Sequence, residues 1–189
     1  LTPIAKAFCT DTGIAVADSG VQVHGGMGFI EETGAAQYLR DARILSIYEG
    51  TNGIQAMDLV ARKMMDGGDA AYRLLDEIET HAEAARGTMP DLAEDVWGAA
   101  ETLRETTEWL VSQDLNDRFA GAVPYLSAFA RVLGAHYHLK AAAADSGDER
   151  RALARFYIKR LLPEHTALLA QVREGAQGLY DLSPEQLSA

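Results

Sequence analysis

Residues 92–110 read LAEDVWGAAETLRETTEWL, and the fold class follows from their spacing. Leu92, Val96, Ala99, Leu103, Thr106 and Leu110 recur in alternating steps of four and three, which puts them on one face of an α-helix. The same spacing continues on either side. Residues 69 to 86 form a preceding helix, ended by Gly87 and Pro90. Downstream, Pro124 marks the start of a helix whose buried stripe is Leu126, Phe129, Leu133 and His136 or Tyr137. After a turn at Ser146-Gly147-Asp148, the residues Leu153, Phe156, Tyr157, Leu161, Leu168, Leu169 and Val172 mark a last helix. Pro163 should kink or split it near Leu162. Four helices joined by short polar turns predict an antiparallel bundle, with a loosely ordered tail from Gly175 onward.

Composition narrows the class further. The chain has 189 residues, 48% of them hydrophobic, so it can bury a substantial core without staples. The single Cys9 excludes a disulfide framework and an all-cysteine zinc site; in an alanine-rich helix it reads as a small buried residue. A net charge of −11 disfavours nucleic acid and anionic membranes, and no apolar run approaches the roughly 18 residues of a membrane span. These features describe a soluble, cytoplasmic, all-α chain. The start, Leu1 to Phe8, lacks both an initiator methionine and the pattern of a signal peptide. It reads as a helix already under way, so the expectation is a C-terminal fragment of a longer protein.

The first third differs from the bundle. A helix is expected over about residues 3 to 19, with a break at Gly20 and irregular chain through Gly25, Gly26 and Gly28. A short helix follows over 35 to 45. Apolar residues at 54, 57, 60, 61 and 64 give another, with Asn52 and Gln55 resembling a capping pair at its start. Asp66-Gly67-Gly68-Asp69 supplies the internal boundary, dividing the chain into residues 1–66 and 67–189.

Two stretches in this first third hold more special residues than a connection needs. In Gln22-Val23-His24-Gly25-Gly26-Met27-Gly28-Phe29, glycines can bring backbone N–H groups close to an anion such as a pyrophosphate; the plainer reading is a turn between helices. The spacing matches neither GxGxxG nor a P-loop. In Ile47-Tyr48-Glu49-Gly50-Thr51-Asn52-Gly53-Ile54-Gln55, a carboxylate precedes a helix N-terminus, beside an aromatic residue and a glycine that leaves room for a ligand. Such a glutamate suits general-base work, or is a solvated loop residue. The catalytic reading expects Glu49 half-shielded, at a cleft and close to the triple-glycine bend.

Taken in order, Gln22-x-x-Gly25-Gly26-x-Gly28-Phe29, Glu32, Arg40-Asp41, Tyr48-Glu49-Gly50-Thr51 and Ile54-Gln55 closely resemble the C-terminal helical domain of acyl-CoA dehydrogenases over residues 1 to 65. Residues 67 to 189 resemble the extra helical region carried by some larger bacterial members. Residues 49–55, EGTNGIQ, are similar to the continuation seen in the 3-methylmercaptopropionyl-CoA dehydrogenase group. At Gln37 the family commonly has Lys or Arg, which puts one ionic contact in doubt.

The resemblance implies α,β-dehydrogenation of an acyl-CoA thioester to a trans-2-enoyl-CoA with FAD, as in fatty-acid β-oxidation. Glu49 would remove the α-proton and Gly50 would border the thioester. Thr51 and Gly53 would lie against the flavin of the same subunit. Gln22, Gly25 and Gly26 would contact the adenosine diphosphate part of a flavin bound mainly by a neighbouring subunit. Arg40 and Asp41 would brace the loop. It further implies a homo-oligomer, electron-transfer flavoprotein as acceptor, and two earlier domains that hold most flavin contacts. The isolated chain would then bind FAD weakly and be inactive.

Other features point to less. Glu77 and His81 share a helical face, yet a single pair is no metal site, and His136 and His138 fall on different faces. His24 either touches the cofactor region or is a satisfied loop histidine. Arg151, Arg155 and Lys159 form a basic row that reads as an ion-pair face ahead of a nucleic-acid surface. The non-enzymatic alternative is a helical oligomerisation module with no chemistry of its own.

Overall fold

All six stripe residues of the 92–110 stretch are buried along one helix. The computed structural model describes residues 1–145 and 147–188, and among these no strand occurs. The chain runs through α1 (Thr2–His24), α2 (Gly26–Phe29), α3 (Ala35–Leu45) and α4 (Asn52–Val60). It continues through α5 (Asp69–Ala85), α6 (Pro90–Ser112), α7 (Leu115–Ala120), α8 (Ala122–Ala144), α9 (Asp148–Phe156), α10 (Glu164–Arg173) and α11 (Pro184–Leu187). No helix is long and apolar enough to cross a membrane among the described residues.

The bundle is α5, α6, α8 and the rod formed by α9 and α10. Leu75 and Ile78 of α5, Val96 and Leu103 of α6, Phe129 and Leu139 of α8, and Ile158 and Val172 from the last rod close its core. Short connections between helices packed lengthwise set neighbours antiparallel. One buried polar pair is fully satisfied. Tyr125 and Thr107 share a hydrogen bond of 2.7 Å, and the Thr107 hydroxyl also reaches the Leu103 carbonyl at 2.7 Å. Burial pushes the Tyr125 hydroxyl pKa well up, so it stays protonated. His136, on the stripe of α8, is wholly buried, whereas Tyr137 is half-exposed. Burial first, then the neighbouring His81, lowers the His136 imidazole to about 4.

Helix α8 also carries the first third, packing on both α1 and α4. The Arg131 guanidinium lies 5.1 Å over the Phe8 ring and pairs with Glu164 on its other side. This contact ties α1 to the bundle.

Several expectations need correction. Gly20 does not break α1, because a lone glycine inside a helix costs only about 1 kcal/mol. The stop falls at Gly25, whose φ of 60° and ψ of −142° suit glycine alone. Helix α4 begins at Asn52, capped by the Thr51 hydroxyl rather than by an Asn52 pair, and after Val60 it tightens to a 3₁₀ turn at Arg62–Met64. Its buried face is Ala56, Leu59 and Val60, which leaves Ile54 and Met57 exposed. Cys9 is exposed, since nothing packs on its side of α1.

In the last rod Ala154, Ile158 and Leu162 point inward. Arg155 and Lys159 beside them are drawn to Asp91 (2.8 Å) and Asp95 (2.5 Å) of α6, and this rotation turns Leu153 and Phe156 outward. Arg155 and Lys159 of the basic row therefore form an ion-pair face with α6. The expected split at Pro163 occurs, through a π-helical turn Tyr157–Leu161 in which the Leu162 N–H reaches the Tyr157 carbonyl at 3.0 Å. Ser146 of the expected turn lies outside the described residues. The tail is tied to the body at its start, where the Ala176 N–H donates to Asp117 at 2.8 Å, and from there it runs mostly exposed, with Ser183 starting α11 through a capping box.

Candidate active site

The loop at residues 46–51 joins α3 to α4, and hydrogen bonds from both sides fix its shape. The Asn52 N–H closes it onto the Ser46 carbonyl at 3.2 Å. From α4, the Gln55 amide donates to the Glu49 carbonyl at 3.2 Å. From α1, the Lys6 ammonium donates to the Gly50 carbonyl at 2.8 Å and to the Asn52 side-chain oxygen at 2.7 Å. The Asn52 amide in turn donates to Thr10 (2.9 Å) and Asp11 (2.6 Å) of α1. Thus the second half of this loop, Glu49 to Asn52, is held between α1 and α4.

Within that clamp Glu49 has φ +54°, the one positive-φ non-glycine residue among those described. L-residues avoid this region, so strain here needs support from the surroundings. Gly50 follows at φ +85°, and a Cβ there would meet the Gln55 amide nitrogen at 3.1 Å. Glu49 and Gly50 open onto a cleft of about 430 Å³ lined also by Thr2, Pro3, Ile54 and Gln55, with Arg62 and Lys63 at its edge. Glu49 is exposed in this chain, not half-shielded, because no other element reaches over it. Thr51 and Gly53 are exposed beside it; Thr51 accepts from the Ile54 N–H, which leaves its own O–H free to donate.

The glycine bend forms a second group, at the other end of α1. The cleft touches Thr2 and Pro3, whereas the bend begins at Gly25, roughly 30 Å away at 1.5 Å per helical residue. The expected closeness of Glu49 to the bend is thus corrected. The three glycines there differ in what the backbone requires of them. Gly25 needs its unusual backbone angles, and Gly28 is buried where a Cβ would lie 2.3 Å from the Val21 carbonyl oxygen. Gly26 has neither constraint, only open space. Gln22 is exposed on the last turns of α1, and His24 is satisfied through Nδ1 on the Gly20 carbonyl at 2.9 Å. Arg40 braces this bend rather than the Glu49 loop, pairing with Glu31 at 2.6 Å, while Asp41 receives only a long 3.5 Å contact from Gln37.

Both groups lie within a stretch of chain that matches a known domain family. Residues 1–65 match the domain family described as "Acyl-CoA dehydrogenase, C-terminal domain", and residues 74–183 match "Acetyl-CoA dehydrogenase C-terminal like". The chain belongs to the acyl-CoA dehydrogenase family. Among similar family members, 3-methylmercaptopropionyl-CoA dehydrogenase of Ruegeria pomeroyi is 47% identical over 133 residues, covering 67% of this chain and 23% of that protein. The broad-specificity linear acyl-CoA dehydrogenase FadE5 of Mycobacterium tuberculosis is 30% identical over 203 residues, covering 92% of this chain and 32% of that protein. Butyryl-CoA dehydrogenase of Syntrophomonas wolfei is 40% identical over 77 residues, 40% of this chain and 13% of its own length. The chain therefore spans a third or less of these curated relatives.

Sequence reasoning missed the supporting residues. Lys6 and Asn52 position the loop, though Asn52 read as a cap and Lys6 as a helix residue. One signal was present: Lys6 is the only lysine or arginine before Arg40.

Proposed function

We propose that this chain is the base-bearing C-terminal part of an FAD-dependent acyl-CoA dehydrogenase, with Glu49 as the general base. The observation that carries the reading is the strained backbone of Glu49, held by Gln55, Lys6 and Asn52 at the edge of a cleft. A backbone is held against its preference where geometry matters more than stability. Glu49 takes the α-proton of the bound acyl-CoA, and Gly50, bare of a side chain, lets the thioester lie against the loop. The carbanion character that develops at Cα then closes into the Cα–Cβ double bond of the enoyl product. FAD, when bound, supplies the acceptor for the hydride that leaves Cβ.

The residues present fit that group. Thr51 offers a free O–H and Gly53 an open backbone beside Glu49, while at the bend Gln22 offers an exposed side-chain amide and Gly26 an open backbone, and Gly25, its N–H taken by the Gln22 carbonyl, leaves no side chain in the way. Because the two sets lie at opposite ends of α1, they serve two different flavins, one per active site of a homo-oligomer. Water exclusion over the exposed Glu49 falls to the rest of the enzyme. Electron-transfer flavoprotein as acceptor, and a cytoplasmic location, complete the reading.

The test is turnover by the intact protein with straight-chain acyl-CoAs and 3-methylmercaptopropionyl-CoA. Glu49→Gln keeps the size and removes the base, and should lower kcat by about 10²–10⁴-fold. A silent substitution would favour the alternative, a helical oligomerisation module without chemistry.

A further inference from the structure

His136 lies on the inner face of α8, wholly buried, and neither of its ring nitrogens has a hydrogen-bond partner. Bundle interiors seldom leave a polar group in this state. What it faces is a pair one turn apart on α5, Glu77 and His81. The Glu77 carboxylate oxygen is 3.9 Å from His136 Nε2 and 3.8 Å from His81 Nδ1, and the two imidazole rings stand 5.1 Å apart. One donor atom from each of the three residues lies within 4.8 Å of the others.

We propose that Glu77, His81 and His136 form a site for a zinc-class divalent transition-metal ion between α5 and α8. Two imidazoles and a carboxylate are the donors such ions take, with water completing the coordination. His81 Nδ1 sits 2.9 Å from the Glu77 carbonyl; donating a proton there leaves the Nε2 lone pair for the metal. This is the outer bond that orients metal-binding histidines.

The site is reachable, because Glu77 and His81 are both partly exposed while His136 forms its floor. The present separation of 3.9 Å between Glu77 Oε1 and His136 Nε2 exceeds the roughly 3.3–3.5 Å that bonds of about 2.0–2.1 Å would set in a tetrahedron. Rotation of the partly exposed Glu77 side chain closes that gap. Lys140 is the competitor, its ammonium 3.4 Å from the same carboxylate oxygen. It is also exposed on a flexible stem and can swing aside. Sequence alone stops at the Glu77–His81 pair, since His136 joins it only through the packing of α5 on α8.

The test is equilibrium dialysis of the intact, chelator-treated protein against Zn²⁺, with elemental analysis of the bound metal. One Zn²⁺ per chain is expected. His81→Ala, a substitution at a partly exposed position that the fold tolerates, should weaken binding by at least ~100-fold, the upper range for losing even an outer-shell partner. His165→Ala, remote from the cluster, should bind as the unsubstituted protein does. Absence of stoichiometric Zn²⁺, or unchanged affinity in His81→Ala, would overturn the proposal.

Discussion

A glutamate with φ +54° costs about 1–2 kcal/mol relative to an ordinary backbone, as much as one typical hydrogen bond contributes. Gln55 and Lys6 offset that cost by holding the Glu49 and Gly50 carbonyls. Removing the strain should therefore stabilise the protein. Glu49→Gly is expected to raise Tm by roughly 2–4 °C per kcal/mol recovered, while Glu49→Ala, which keeps the strain, should not. Thermal unfolding followed by circular dichroism checks this, and equal Tm values for the two variants would argue against it. The turn that carries Glu49 was legible in the sequence, because Gly50 and Thr51 lead into a helix. Lys6 was not: it acts across 44 positions of sequence, and no local pattern announces a contact made by folding α1 against α4.

At the scale of elements, period and punctuation carried most of the information. The α6 stripe was readable because burial recurs every three or four residues, whereas Leu153 and Phe156 misled because the ion pairs to Asp91 and Asp95 choose the face. The glycine bend shows the same limit. Three glycines signal a break, but only the packing distinguishes their roles. Gly28→Ala should push α2 off α1, since the new Cβ would meet a backbone oxygen that cannot move aside. The expected loss is about 1–3 kcal/mol, more than alanine's helical preference of about 1 kcal/mol returns. Gly26→Ala, in the same helix but with open space around it, should keep stability or raise it by up to about 1 kcal/mol. Urea unfolding of both variants checks the contrast; equal midpoints would refute it.

The whole chain exposes 10925 Å², against about 8,800 Å² for a compact monomer of its mass. Exposed apolar side chains occur along the whole chain and are most frequent in its first third. Val16, Val23, Met27, Phe29, Tyr38, Ile44, Ile47, Tyr48 and Ile54 are all exposed, and a cleft of about 440 Å³ opens between α1 and α3. Apolar surface of this extent marks an interface. Which faces stay open could not be read beforehand, because periodicity reports that a residue is apolar but not which partner covers it. If the rest of the enzyme and a second copy provide that cover, the chain alone lacks most of the flavin's surroundings. Purified alone, it should show no FAD absorbance at stoichiometric cofactor; a yellow one-to-one complex would contradict this. The central claim concerns proton removal, and single-turnover bleaching of the flavin in the intact protein, under anaerobic conditions at saturating acyl-CoA, tests it most directly. Glu49→Gln should slow that bleaching by about 10²–10⁴-fold. Bleaching at the unsubstituted rate would show that another group takes the proton.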